Sequence, residues 1–196
     1  MSSFGGAVLA GGTSRRMGVD KATVRVGGQT MVSRVVDALA AAGAARTVVV
    51  GGDRRAMTAL GMDHVADTWP GTGPLGGIVT ALADAAAAGV DLVVVLACDL
   101  VAPDPTSIER VVLALVDAPA AALAVPEVAG RRQWLHGAWR TRAQAGLESA
   151  LASGERAVHR AVEDCGLVVA AVSGVPASAV ADADTMDELP PDARSG

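Results

Sequence analysis

Between Leu9 and Lys21 the chain reads LAGGTSRRMGVDK, which gathers bare backbone at Gly11 and Gly12, guanidinium groups at Arg15 and Arg16, and an ammonium group at Lys21. These residue types suit a polyphosphate. Exposed backbone N–H groups of a glycine turn form an anion-binding nest. Guanidinium forks match phosphate oxygens, and a lysine adds a mobile point charge. Three cations in one loop stand out in a chain of net charge −5. The other use of such a loop is a surface turn with solvated charges, and the residue types leave both open.

Two familiar phosphate fingerprints do not apply. The dinucleotide motif needs G-x-G-x-x-G, whereas Gly11 and Gly12 are adjacent and the next glycine is Gly18. The P-loop needs a lysine directly after its second glycine, and Val19 follows Gly18. The loop is longer than either.

Something must hold that loop in place. Ala7 to Ala10 reads as a short buried strand, and TMVSRVVDALAAAG after the loop as a helix with Met31, Val32, Val35, Val36 and Leu39 on one stripe, stopped at Gly43. Further strands are expected at Arg46 to Gly52, Asp91 to Asp99, Ala121 to Val125 (closed by Pro126) and Leu167 to Val172. Further helices are expected at Leu75 to Gly89, Ser107 to Val116, Thr141 to Ala152 and Ala157 to Cys165. The run from Asp91 to Asp99 is the most apolar of the chain and predicts a central strand buried on both faces. Alternating strands and helices predict an α/β fold, a single-domain Rossmann-like three-layer sandwich with a mostly parallel sheet and helices on both faces. Such sheets bind ligands beyond the carboxyl ends of their strands, which directs attention to the residues after Ala10, Val50, Ala97 and Val125. No linker or repeat divides the chain. It reads as one domain over residues 1–189 with a frayed tail over 190–196.

Composition limits the function classes. The chain has 196 residues, 51% of them hydrophobic, with one Phe, three Trp and no Tyr, so the core is aliphatic. The acidic balance argues against nucleic-acid binding. Cys98 and Cys165 are too few and too far apart for a disulfide scaffold or a zinc site. No apolar run approaches the roughly 20 residues of a membrane span, and the start lacks a secretory pattern. The expected setting is the cytoplasm, with no membrane partner.

The string from Leu9 to Lys21 resembles the signature of the nucleotidyltransferases, and within them the molybdenum cofactor guanylyltransferases, whose usual form is L-A-G-G-x-S-x-R-M-G-x-D-K. Related cytidylyltransferases typically show L-A-A-G and lack the Asp before the Lys. Further matches are Asp67 ahead of Gly73-Pro74-Leu75-Gly76-Gly77, Cys98-Asp99 at the end of the central strand, RRQWLHGAW near the acceptor, Gly154 to Arg156, and DADTMDEL near the end. The sequence departs from the pattern at Val101, Trp134 and Met186, where the family has prolines, and at Asp182 and Asp184, where it has asparagines.

The resemblance implies the nucleotide-diphospho-sugar transferase type of fold and transfer of GMP from GTP to the phosphate of molybdopterin, releasing pyrophosphate. The alternatives are cytidylyl transfer to molybdopterin and transfer to another phosphorylated acceptor. It implies Leu9, Ala10, Gly11 and Gly12 around the nucleotide, Arg16 and Lys21 on the triphosphate, and Asp67 on ribose or base. Asp99 would hold Mg²⁺, which takes one or two protein oxygens together with phosphate and water. Arg16, Lys21 and Asp99 are then the catalytic set, and cofactor-delivery proteins or molybdoenzymes are the implied transient partners. Each residue also has a plainer use: Asp99 as a turn cap before Pro103, Asp67 as a turn former, Gly73 to Gly77 as an ordinary helix start. Asp182 and Asp184 are either a second metal ligand or solvated acids. His64, His136 and His159 are isolated and read as packing or surface residues. Trp134 and Trp139 read as packing residues, with Trp134 also placed to line an acceptor pocket.

Overall fold

The computed structural model of the chain describes residues 3–11 and 21–183. Gly12, Arg15, Arg16 and Asp184 lie outside the described residues, as does the expected tail. Strand β1 is Gly5–Leu9. After the loop come a small hairpin, β2 (Arg25–Val26) and β3 (Gln29–Thr30), and helix α1 (Met31–Ala41). Strand β4 (Thr47–Val50), helix α2 (Arg54–Ala59), strand β5 (His64–Val65) and helix α3 (Pro74–Ala87) follow. Next are strand β6 (Leu92–Ala97), helix α4 (Pro105–Asp117), and strands β7 (Leu123–Val128), β8 (Arg131–Arg132) and β9 (His136–Arg140). Helices α5 (Gln144–Ala152) and α6 (Val158–Asp164), strand β10 (Val169–Val172) and helix α7 (Ala177–Val180) complete the described chain.

The main sheet runs β10-β7-β9-β6-β1-β4-β5, with β8 added to β7. Its pairings are parallel except those of β9, which lies antiparallel between β6 and β7, and that of β8, which is antiparallel to β7. Period-two alternation divides β6 between two cores: Leu92, Val94 and Leu96 pack with α1 and α4, while Val93 and Val95 pack with α3 and α5. The expected three layers are present.

Local chemistry starts the helices where they are needed. Thr30 accepts the Ser33 N–H ahead of α1, and Asp104 accepts Thr106 and Ser107 N–H ahead of α4, with Pro105 in its first turn. Asp53 caps α2 through the Ala56 N–H.

One expectation needs correction, and one strand is not foreseen. Pro126 does not close its strand, because β7 continues to Val128 and Pro126 sits opposite Val172 of β10. Its carbonyl accepts the Gln133 N–H on the other side, where β9 no longer pairs with β7, so no ladder bond needs the N–H that proline lacks. The segment from His136 to Arg140 is a strand in the middle of the sheet, which its short HGAWR pattern does not announce.

Candidate nucleotide-binding site

Four parallel strands end in one row. Leu9 of β1 is in register with Val50 of β4 and Ala97 of β6, and Val50 with Val65 of β5. Backbone bonds carry the row one residue further: Ala10 N–H to Val50 O at 2.9 Å, Gly51 N–H to Val65 O at 2.9 Å, and Cys98 N–H to Leu9 O at 3.2 Å. The loops that begin at Ala10, Gly51, Ala66 and Cys98 therefore leave the sheet side by side.

A cleft of about 590 Å³ opens there, bounded by Leu9, Gly11, Gly51, Asp67, Gly73 and Gly77 among others. Its walls depend on missing side chains. Gly51 has φ of 74°, and a Cβ there would stand 3.1 Å from Gly11 Cα and 3.2 Å from Gly11 N. Only glycine suits both the backbone and the space. Gly77 brings α3 against β1, since a Cβ on it would lie 3.1 Å from a Leu9 methyl. At Gly76 a Cβ would overlap Thr72 Oγ1 and come within 2.9 Å of the Trp69 carbonyl oxygen.

Asp67 divides its carboxylate. Oδ1 accepts the Trp69 N–H at 2.9 Å and the Thr80 hydroxyl at 3.2 Å, and Thr80 Oγ1 in turn accepts the Thr68 N–H at 3.1 Å. Oδ2 has no partner among the described residues and faces Gly11, whose absent Cβ would sit 3.8 Å from it. One oxygen is anchored; the other is available to a ligand. Beside it, α3 begins at Gly73 (φ 75°) and Pro74 with no side-chain cap. Its first-turn N–H groups and the positive end of its dipole sit at the cleft wall, an arrangement that favours anions.

Asp99 is half-buried in the turn after β6. The C-terminal segment runs antiparallel to this turn: Val101 N–H donates to Ala181 O at 2.9 Å, and Ala183 N–H donates to Asp99 O at 3.1 Å. Leu100 and Asp182 form the bridge between them. Asp182 thus arrives beside the Asp99 turn, from more than 80 positions along the sequence. Lys21 opens a 3-10 turn, Lys21–Thr23, directly after the loop; its side chain lies outside the described residues. Among the described residues no three carboxylate, imidazole or thiolate groups converge as a metal cage. A magnesium ion does not require one, because phosphate and water supply most of its six oxygens.

The remaining candidates divide. Trp139 is fully buried in the core on the α3 side, as expected of a packing residue. Trp134 is half-buried, with the Arg132 guanidinium 5.8 Å from its ring centre. His136 is buried, and desolvation pushes its imidazole down to about 4 despite the opposing pull of Asp104. It is neutral near pH 7. His64 reads from sequence as an isolated residue, yet it lines the cleft and its Nε2 bonds the Gly51 carbonyl at 3.1 Å. A larger groove of about 680 Å³ lies along α5 and α6, away from the strand ends, and its Arg160 is already paired with Glu155 at 2.9 Å.

Residues 6–166 match the sequence profile of the MobA-like NTP transferase domain. The chain belongs to this family. Over 154 residues it is 34% identical to a molybdenum cofactor guanylyltransferase of Cereibacter sphaeroides, covering 78% of this chain and 77% of that one. Over 99 residues it is 46% identical to a protein of Opitutus terrae named "Probable molybdenum cofactor guanylyltransferase", covering 50% of this chain and 49% of that one. The chain thus spans about half the length of the Opitutus relative, and 44% of a similarly named relative from Pelotomaculum thermopropionicum. The crystal structure of molybdopterin-guanine dinucleotide biosynthesis protein A from Archaeoglobus fulgidus superimposes with a TM-score of 0.75 at 22% identity, over 96% of this chain and 94% of that one. The 2-C-methyl-D-erythritol 4-phosphate cytidylyltransferase of Thermus thermophilus does so with a TM-score of 0.67 at 20% identity, over 93% and 94% of the two chains. At these identities the structures establish the fold. The MobA-like domain and its relatives support a nucleotidyl-transfer role. No helix among the described residues is long and apolar enough to cross a membrane.

Proposed function

We propose that the protein transfers GMP from GTP to the phosphate of molybdopterin, releasing pyrophosphate and forming a molybdopterin guanine dinucleotide. The observation that supports this reading is the single row of strand ends, from which the loop after β1, the segment leading to Asp67 and the Asp99 turn leave side by side, with Leu9, Gly11 and Asp67 lining the cleft and Asp99 outside its lining.

In the reaction, a phosphate oxygen of molybdopterin forms a bond to the α-phosphorus of GTP. The bond from that phosphorus to the bridging oxygen breaks, and pyrophosphate leaves with the electron pair. The attacking oxygen is already anionic near neutral pH, so no base is needed. The work is alignment and charge stabilisation. Backbone groups of Leu9, Ala10, Gly11 and Gly12 face the guanosine. Asp67 Oδ2 accepts from a ribose hydroxyl or a base N–H, held in place through Oδ1. Arg16 and Lys21 hold the triphosphate and take up charge on the departing pyrophosphate. Asp99 would hold Mg²⁺, with Asp182 as the nearby candidate for a second contact. When bound, the ion neutralises phosphate charge. The setting that fits these substrates is the cytoplasm, with transient contact to cofactor-delivery proteins or molybdoenzymes.

A thermal-shift series with Mg²⁺ and each nucleoside triphosphate tests the nucleotide half of the proposal. Ligand that binds only the native state raises the melting temperature by mass action. GTP should raise it more than CTP, UTP or ATP at equal concentration. A larger shift with CTP would move the assignment to cytidylyl transfer.

A further inference from the structure

We infer that His64 is a positioning residue for the nucleotide, acting through the Gly51–Gly52 peptide. The inference rests on the reading of the cleft as the nucleotide site.

Two adjacent residues of β5 grip Gly51 from opposite ends. The Val65 carbonyl accepts the Gly51 N–H at 2.9 Å, and His64 Nε2 lies 3.1 Å from the Gly51 carbonyl oxygen. A carbonyl oxygen only accepts, so Nε2 carries the proton and donates. The peptide that follows is trans. In a trans peptide the C=O and the next N–H point in opposite directions. With the Gly51 carbonyl turned toward His64, the Gly52 N–H is turned away from it. That N–H has no partner among the described residues, and both glycines line the cleft.

The lock matters because of the sequence. A peptide between two glycines, here with φ of 74° and 73°, flips at little steric cost, since glycine accepts either sign of φ. Flipped, it would present a carbonyl where it now presents a donor. His64 selects the donor, which suits a carbonyl, ring-nitrogen or ribose oxygen acceptor on a nucleoside. It also fixes the turn that packs against Gly11, 3.1 Å from the Cβ that Gly51 lacks.

The test compares wild type with His64→Phe, which keeps a ring but removes the donor, and His64→Gln, whose amide can donate again. The probe is GTP with Mg²⁺, titrated calorimetrically, with ligand-free melting temperatures alongside. The Phe variant should raise the Kd for GTP about fivefold to tenfold, the scale of one lost hydrogen bond. The Gln variant should recover most of that loss. In turnover, KM for GTP should rise in the Phe variant while kcat changes little. A lower melting temperature with unchanged Kd would make His64 merely structural and overturn the inference, as would equal loss in both variants. A wild-type protein that does not bind GTP would defeat the reading of the cleft itself, and the inference with it.

Discussion

Thr80, two turns into α3, donates its hydroxyl to Asp67 Oδ1 at 3.2 Å while accepting the Thr68 N–H at 3.1 Å. The residue is 3% exposed. This one buried hydroxyl fixes both the carboxylate and the backbone that leads from it, so α3 sets where Asp67 Oδ2 stands in the cleft.

Thr80→Val keeps the shape and removes the hydroxyl. The Thr68 N–H then loses its acceptor, and Asp67 loses one of two anchors. Stability should fall by about 1–2 kcal/mol, and GTP affinity should fall with it. Chemical denaturation and GTP titration measure the two effects. Loss of stability with unchanged affinity would show that Thr80 supports the fold but not the Asp67 geometry.

Gly51→Ala should damage nucleotide binding by crowding Gly11. The control is Gly61→Ala, where φ is 72° but no atom lies within 4 Å of the added Cβ. Both variants carry backbone strain on the order of 1 kcal/mol. Only Gly51→Ala pushes on the loop after β1. We expect both to melt earlier and only Gly51→Ala to lose affinity for GTP by about tenfold or more. Equal affinities would contradict the close approach as a binding feature.

Much of this arrangement is legible in the sequence. The apolar runs ending at Ala10, Val50 and Ala97 announce parallel strands, and the strand-end rule then points to the edge where the cleft opens. Asp67 and Asp99 stand at that edge. What is not legible depends on tertiary partners. β5 is only His64 and Val65, too short for any periodicity, yet it grips the Gly51 turn. β9 pairs on both sides and so becomes a central strand, although HGAWR carries little strand signal. Thr80 is one polar residue in an alanine-rich helix, and its role follows only from facing Asp67. Asp182 reaches the Asp99 turn by a two-bond bridge that no local pattern encodes.

His136 gives the protein a pH-dependent stability. Buried, it stays neutral down to about 4, whereas in the unfolded chain it titrates near about 6.5. Above that value both states are neutral and this group contributes no pH dependence. As pH falls from about 6.5 toward 4, the unfolded chain takes up the proton first, so stability falls by up to roughly 1.4 kcal/mol per pH unit. Below about 4 the loss levels off. His136→Phe should remove this slope, and its two ring nitrogens have no hydrogen-bond partners among the described residues to lose. Urea midpoints across this range measure it; an unchanged slope in the variant would contradict the assignment.

Lys21→Ala and Asp99→Asn separate the two charges assigned to catalysis. Lys21→Ala should fold normally and lose about 10²–10³ in turnover. Asp99→Asn keeps size and one acceptor oxygen but removes the charge that a cation needs. If Asp99 only caps its turn, Asn replaces it well. If it holds Mg²⁺, the maximal rate falls sharply or the Mg²⁺ requirement rises. Unchanged rate and unchanged Mg²⁺ dependence would remove Asp99 from the metal site and turn attention to Asp182 and Asp184.

The central claim is guanylyl transfer, and the most direct measurement is product formation. Purified protein is mixed with molybdopterin, Mg²⁺ and either GTP or CTP, and both pyrophosphate and the dinucleotide are quantified. The proposal predicts one pyrophosphate released per molybdopterin guanine dinucleotide formed, with GTP strongly preferred. Dinucleotide formation only from CTP, or no acceptor-dependent pyrophosphate release from either nucleotide, would contradict it.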